Sequence, residues 1–454
     1  MSVHIIDSTV FASAWGTPEL RALFDEKTRV QGWLELLVEL AKTQAEFGLI
    51  PNEAAVQIEQ DCGSIKVNAE YLTEIGAEFQ KTNHSLAGFV RATQQRCRSL
   101  SGEYFCYGVT VQDVTDTQLM RTLLSVHEIV SRDVQVVEHL LVKLAREHRN
   151  TVMCGRTHGQ PGLPITFGFK VAGWLDEMQR HRERLAEIEP RLKVGQLAGG
   201  VGSLSSLGAN ALQLQVRFMQ RVGLDAPAIS WTASRDRLAE WTNLLALISA
   251  TGDRIGQEIY DLQRPEIGEA SEGFTPGTIG SITMPQKRNP EIAEHLGTLA
   301  RVVRHHAAHM AESLVHRHER DGRSWKSEWH ILPDISMAAA KSLALLEKLV
   351  SNVEVYPQRM RENLEAGGGF VFAEAVMLEM AKTLGKQTAH GIVYAVAMRA
   401  QAAGIDFKPA LLADKAITEN LEQKRLESLF DLEVFLGECA EMVDQVLSRS
   451  TAKP

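Results

Sequence analysis

Between Pro51 and Pro161, between Pro290 and Pro333, and between Pro357 and Pro409 the chain has no proline. An interior proline costs a helix about 3 kcal/mol, so windows this long permit helices well beyond the usual length. The apolar pattern then says that helices are present. Leu238, Trp241, Leu245, Ile248, Ile255, Ile259 and Leu262 recur at three- and four-residue steps, as do Leu119, Leu123, Val126, Val130, Val137, Leu141 and Leu144. A third series is Leu296, Leu299, Val303, Met310 and Leu314, and a fourth is Ile335, Leu345, Leu349 and Val353. Each marks one apolar stripe on a helix of about seven to nine turns. No run alternates with period two for long enough to suggest a sheet. Helices of about 30 residues span about 45 Å. Packed side by side they make an elongated bundle, and seams of that length commonly extend into partner subunits. The expected fold is all-α: an elongated long-helix bundle over residues 108–354, flanked by smaller helical domains at 1–107 and 355–454, in an oligomer.

Composition narrows the function classes. The 454 residues are 44% hydrophobic and 23% charged, ordinary for a globular protein and incompatible with disorder or a collagen-like chain. With 48 basic and 57 acidic side chains the formal charge is −9, which argues against a duplex-binding surface and leaves room for a local basic pocket. The five cysteines, Cys62, Cys97, Cys106, Cys154 and Cys439, form no CxxC pair, so neither a disulfide framework nor a zinc ribbon is expected and a reducing compartment fits best. The N-terminus lacks the basic region and long apolar run of a signal peptide. The uncharged stretch Val194–Val216 has the length of a membrane span, but its five glycines and several polar residues read as a buried or ligand-facing loop. A cytoplasmic protein without membrane or nucleic-acid partners is the expectation.

Four segments could carry chemistry. Residues 277–290, GTIGSITMPQKRNP, join Ser281, Lys287 and Asn289 in a glycine- and proline-bounded loop. A hydroxyl, an ammonium and an amide together suit recognition of a carboxylate beside a reactive carbon. Composition alone favours a plain exposed inter-helix loop. Residues 154–164, CGRTHGQPGLP, put His158 among small residues shortly before a helix beginning near Thr166, a place where an anion can be held. Residues 81–85, KTNHS, place His84 in a polar cluster. Residues 107–113, YGVTVQD, offer Thr110, Gln112 and Asp113 at the start of the helix containing Leu119. Two other features read as decoys. His305, His306 and His309 put two imidazoles four residues apart on a helix without a nearby acidic or cysteine ligand, so no metal is expected. The GGVG run at 199–202 lacks the lysine of a phosphate loop and reads as a tight loop.

Together these segments resemble the fumarase/aspartase superfamily. Its signature loop reads GSSxMPxKxNP, and residues 280–290, GSITMPQKRNP, match it at every defining position except the second serine. The resemblance implies a mostly helical homotetramer with active sites shared by three subunits, performing β-elimination on a succinyl-type dicarboxylate or tricarboxylate without metal or organic cofactor. It implies Ser281 as general base, and Lys287, Asn289, Thr110 and Gln112 as holders of the aci-carboxylate. His158 paired with Glu294 would form the relay, and His84 would supply or share the leaving-group proton. Arg156, Thr157, Ser85 and Met284, which adjoin these residues, are expected at the substrate. Serine is a weak base at its ordinary pKa, so Lys287 and backbone N–H groups must stabilise its alkoxide.

The branch within the superfamily is read from further segments. Residues 24–33, 231–240 and 318–333 look like 3-carboxy-cis,cis-muconate cycloisomerases, whereas the two histidines resemble adenylosuccinate lyase, whose amine leaving group needs a proton. A nucleotide phosphate is disfavoured, because the segment expected to bind it carries Glu328, although Arg317, Arg320 and Arg323 offer another anion site. The leading expectation is C–N cleavage of a small N-substituted aspartate with release of fumarate. Carboxymuconate cycloisomerisation is the second reading, adenylosuccinate cleavage the third, and a catalytically silent structural homologue the remaining one.

Overall fold

The computed structural model describes residues 4–274, 277–432 and 435–450. Among them the fold is almost wholly helical, with only two short antiparallel strand pairs. Five long helices, Val111–Glu147, Phe167–Leu192, Asp236–Gln263, Glu291–Glu312 and Gly322–Asn352, lie within the region expected to hold them. Every member of the Leu238–Leu262 stripe is buried, and from Leu123 onward so is every member of the Leu119–Leu144 stripe.

The ends of two stripes differ from expectation. Leu314 falls beyond its helix, which stops at Glu312, and is 37% exposed. The last long helix begins at Gly322 and carries Pro333 in its interior, well before the stripe that starts at Ile335. Pro333 lacks the N–H that would reach the Trp329 carbonyl. Burial of Ile331, Leu332 and Ile335 on either side holds the helix together through that gap.

Two compact units organise the chain, each built from separate segments: residues 1–134, 181–250 and 298–344 form the first, and 135–180, 251–297 and 345–454 the second. In the first unit, the loop before the Ala211–Arg221 helix is anchored on the start of the Val111 helix. The buried Asp113 carboxylate accepts from the N–H groups of Ala198 (2.8 Å), Gly199 (3.0 Å) and Thr110 (2.9 Å). Gly199 and Gly202 have φ of +78° and +88°, so the GGVG run is the tight loop its composition indicated. In the second unit, shorter helices follow Pro357. They are interrupted at Gly368 and Gly369, both with positive φ, and enclose a core around Val376, Met380, Val393, Phe407 and Leu426. No helix among the described residues is long and apolar enough to cross a membrane.

One local structure was not legible in the periodicity. Strands Val152–Thr157 and Gln160–Thr166 pair antiparallel as a hairpin of the second unit. Its base, at Val152 and Cys154, packs with Leu364, Val371 and Phe372. Proline and glycine in the second strand mask any alternation.

Candidate active site

The signature loop, in the second unit, is folded back on itself. A Cβ on Gly280 would lie 2.6 Å from the Lys287 carbonyl oxygen and 3.2 Å from the Asn289 nitrogen, so only glycine permits the approach. That approach brings the backbone beside Ser281 against residues 287–289. The Ser281 oxygen accepts the Met284 N–H at 3.2 Å, a donor aimed at the atom that would carry alkoxide charge. The Lys287 N–H in turn bonds the Met284 carbonyl at 3.0 Å, while the Lys287 side chain stays exposed. Gln263 donates to the Arg288 carbonyl (3.1 Å), and the Arg288 guanidinium lies 4.5 Å from the centre of the Phe274 ring.

The loop runs directly into the Glu291–Glu312 helix, which carries Glu294 in its first turn. A carboxylate caps that helix: Glu272 accepts from the N–H groups of Ile292 (3.2 Å) and Ala293 (2.6 Å). Burial pushes the Glu272 carboxyl above its ordinary value against the pull of these two donors. Neither the cap nor its function was apparent in the sequence, because Glu272 stands about twenty residues before the helix start.

His158 sits at the tip of the hairpin, nine residues before the start of the following helix at Phe167. His158 and Gly159 have φ of +55° and +73° between the paired Thr157 and Gln160, as a two-residue type I′ turn demands. A non-glycine residue there costs about 1–2 kcal/mol, and the result is an imidazole projected into solvent on a stiff support. Thr157 is likewise exposed at the strand end. Arg156, expected at the substrate, instead makes a bidentate pair with the buried Glu269 at 2.8 and 2.6 Å. Glu269 also accepts from Asn363 at 2.8 Å, so a substrate carboxylate would have to compete with a fixed internal one.

His84, Ser85, Thr110 and Gln112 lie in the first unit. His84 follows the Ala69–Thr82 helix and its left-handed cap Asn83. Its Nδ1 accepts the Ala87 N–H at 3.2 Å, which leaves the proton of the neutral ring on the exposed side, at Nε2. That leaves Nε2 as the ring atom free to face a ligand. The Thr110 hydroxyl accepts from Arg320 at 3.2 Å. Gln112 is wholly buried, with its NH2 group directed at Asp116 (3.1 Å) and the Thr232 carbonyl (3.5 Å). In this arrangement its NH2 group supports the start of its helix.

Beside Ser85 the first unit encloses a cavity of about 410 Å3, walled by Phe24, Trp33, Phe79, Trp325 and Trp329. Trp325 and Trp329 meet edge to face, with centroids 5.0 Å apart. Its polar floor is a buried ionic triad, in which Arg235 holds Asp116 at 2.7 and 3.2 Å and Glu328 at 2.8 and 2.5 Å. Glu328 therefore does not offer an isolated negative charge, and burial pushes its carboxyl above its ordinary value. Of the alternative cations, Arg323 is held by Asp321 at 2.6 Å. The triad was missed in the sequence because its members are 119 and 93 residues from Arg235.

A long-helix architecture bearing this serine–lysine–asparagine loop defines a class of lyase. Residues 14–304 match the lyase family, and residues 369–446 match the adenylosuccinate lyase C-terminus. An N-acetyl-S-(2-succino)cysteine lyase of Dickeya dadantii is 38% identical over 447 residues, covering 98% of each chain. Adenylosuccinate lyase of Methanocaldococcus jannaschii is 35% identical over 450 residues, 98% of this chain and 96% of its own. Among solved structures, the 3-carboxy-cis,cis-muconate lactonizing enzyme of Pseudomonas putida has a TM-score of 0.88 at 30% identity, covering 98% of this chain and 100% of its own. The chain belongs to the fumarase/aspartase superfamily of lyases.

Proposed function

We propose that the chain eliminates a small substituent from a 2-substituted succinate, releasing fumarate. The observation that carries this reading is the folded signature loop, in which Gly280 permits the Ser281–Met284 segment to lie against Lys287 and Asn289. Ser281, as alkoxide, takes the proton from the carbon next to one carboxylate. The electron pair passes into that carboxylate as an aci-carboxylate, which Lys287 and Asn289 hold. The pair then forms the carbon–carbon double bond as the bond to the substituent breaks and the leaving atom takes its electrons. His84 and His158, the latter with Glu294, are the groups proposed to return a proton to that atom.

Sulfur is the leaving atom we favour, in a succinylated thiol such as an N-acylated S-succinocysteine. Support comes from the relatives named for that substrate, two of which are 38% and 39% identical to this chain along almost its whole length. The aromatic cavity beside Ser85 has room for a compact substituent. Cleavage of a small N-substituted aspartate is the second reading, supported by the adenylosuccinate lyase relatives, since an amine needs a proton to leave and a protonated His84 or His158 would supply it. The proposed assembly is a homotetramer in which three subunits complete each site.

Fumarate release from N-acetyl-S-(2-succino)cysteine, small N-substituted aspartates, adenylosuccinate and 3-carboxymuconate distinguishes these readings. The thioether should be turned over fastest, and Ser281→Ala should slow it by roughly a hundred- to ten-thousandfold. Turnover of carboxymuconate without fumarate would overturn the elimination in favour of cycloisomerisation. Normal turnover by Ser281→Ala would remove the serine base.

A further inference from the structure

We propose that His306, His330 and Asp334 form a binding site for one divalent first-row transition ion such as Zn2+ or Co2+. All three belong to the first unit. His330 and Asp334 stand one turn apart on the same face of the Gly322–Asn352 helix, and His306 reaches them from the Glu291–Glu312 helix. One ligand atom from each residue, Nε2 or Nδ1 of the imidazoles and a carboxylate oxygen, lies within 4.8 Å of the other two. His306 Nε2 is 3.7 Å and His330 Nδ1 3.4 Å from the same Asp334 oxygen, Oδ2.

These separations leave room for an ion between the three ligands. N–H···O bonds have heavy-atom distances of about 2.7–3.2 Å, shorter than either contact. Ligands placed about 2.0–2.1 Å from one tetrahedral ion lie about 3.3–3.4 Å from each other, close to the observed spacing. Two imidazoles and a carboxylate are a donor set that divalent transition ions accept, with the remaining position left to water. The side chains of His306 and Asp334 are only 16% and 14% exposed, whereas that of His330 is 62% exposed, so one ligand can turn toward an ion arriving from solvent.

His4 Nε2 also faces Asp334 Oδ2, at 3.7 Å. Its Nδ1 accepts the Ile6 N–H, which places the proton of the neutral ring on Nε2, so we do not count it as a ligand. The local sequence gave no hint of the site. His305 and His309, four residues apart, are the pair that spacing singles out, yet the carboxylate and the second imidazole come from the next helix. A bound ion would bridge the two helices, so the thermal midpoint would rise with metal concentration.

Equilibrium dialysis and visible spectroscopy with Co2+ test the assignment on the chelator-treated, desalted full-length protein. One Co2+ should bind per chain with a ligand-field band that Zn2+ abolishes. His330→Gln and Asp334→Asn should each weaken binding by at least about tenfold. A His305→Gln/His309→Gln double variant should bind as the parent does. His330 is mostly exposed, so its replacement leaves the fold intact and gives a clean reading. Absence of the band, unchanged affinity in His330→Gln, or an equal loss in the His305/His309 variant would overturn the site.

Discussion

At Asp113 two opposing effects meet in one buried carboxyl. Three backbone N–H groups stabilise its charge, yet burial outweighs them and pushes it from 3.8 up to about 6. A raised folded-state pKa means that the native protein binds this proton more tightly than the unfolded chain does. The resulting stabilisation is full below the ordinary aspartate value and is lost as the pH rises through about 6. Denaturant titrations of the parent and Asp113→Asn should therefore show the parent's advantage shrinking between those two values. An advantage that grows over the same range would mean that the three N–H donors win. Arg156 and Gln112 teach a related lesson. Within the chain Glu269 and Asp116 engage their donor groups, so a ligand would have to share or displace those contacts.

Among the elements, the signature loop and the ionic triad are the two whose geometry a single substitution tests best. Gly280→Ala places a methyl carbon against the Lys287 carbonyl, so the loop must open and Ser281 must move relative to Lys287 and Asn289. Displacements of about 1 Å cost roughly a hundredfold in turnover, and kcat should fall by that order while the melting temperature holds. An unchanged kcat would mean that the fold-back is not the working conformation. Arg235→Met strands two carboxylates that are 2% and 1% exposed. Removing one partner of a buried ionic group costs about 3–5 kcal/mol, which calorimetry or urea unfolding will detect. A loss below about 1 kcal/mol would show that water reaches the triad.

For the whole molecule, the proposed residues divide between the two compact units, with His84, Ser85, Thr110 and Gln112 in one and His158, Ser281, Lys287 and Glu294 in the other. The shared-site proposal makes a prediction at this scale. Ser281→Ala and His158→Asn proteins, each inactive alone, should regain activity when unfolded and refolded together, because some mixed tetramers contain sites with both native residues. Asparagine is chosen because it tolerates the left-handed turn that His158 occupies. Sedimentation should report four chains per particle. Failure of the mixture to recover activity, with tetramers present, would place both residues of each site on one chain.

The proline-free windows and three-to-four-residue stripes determined the helical class and the long central elements, because burial along a rod leaves a local, periodic trace. The signature loop was legible through its motif, whose defining residues adjoin in the chain, although its composition alone read as a plain inter-helix loop. Tertiary structure alone decided the hairpin that carries His158, the Glu272 cap, the Arg235 triad and the meeting of His306 with His330 and Asp334. Each of these joins residues through space across tens of positions or more, or, in the hairpin, depends on turn geometry that proline and glycine conceal. Hydrogen bonds and ion pairs between distant segments have no period. Their partners become identifiable only once apolar burial has brought the helices together.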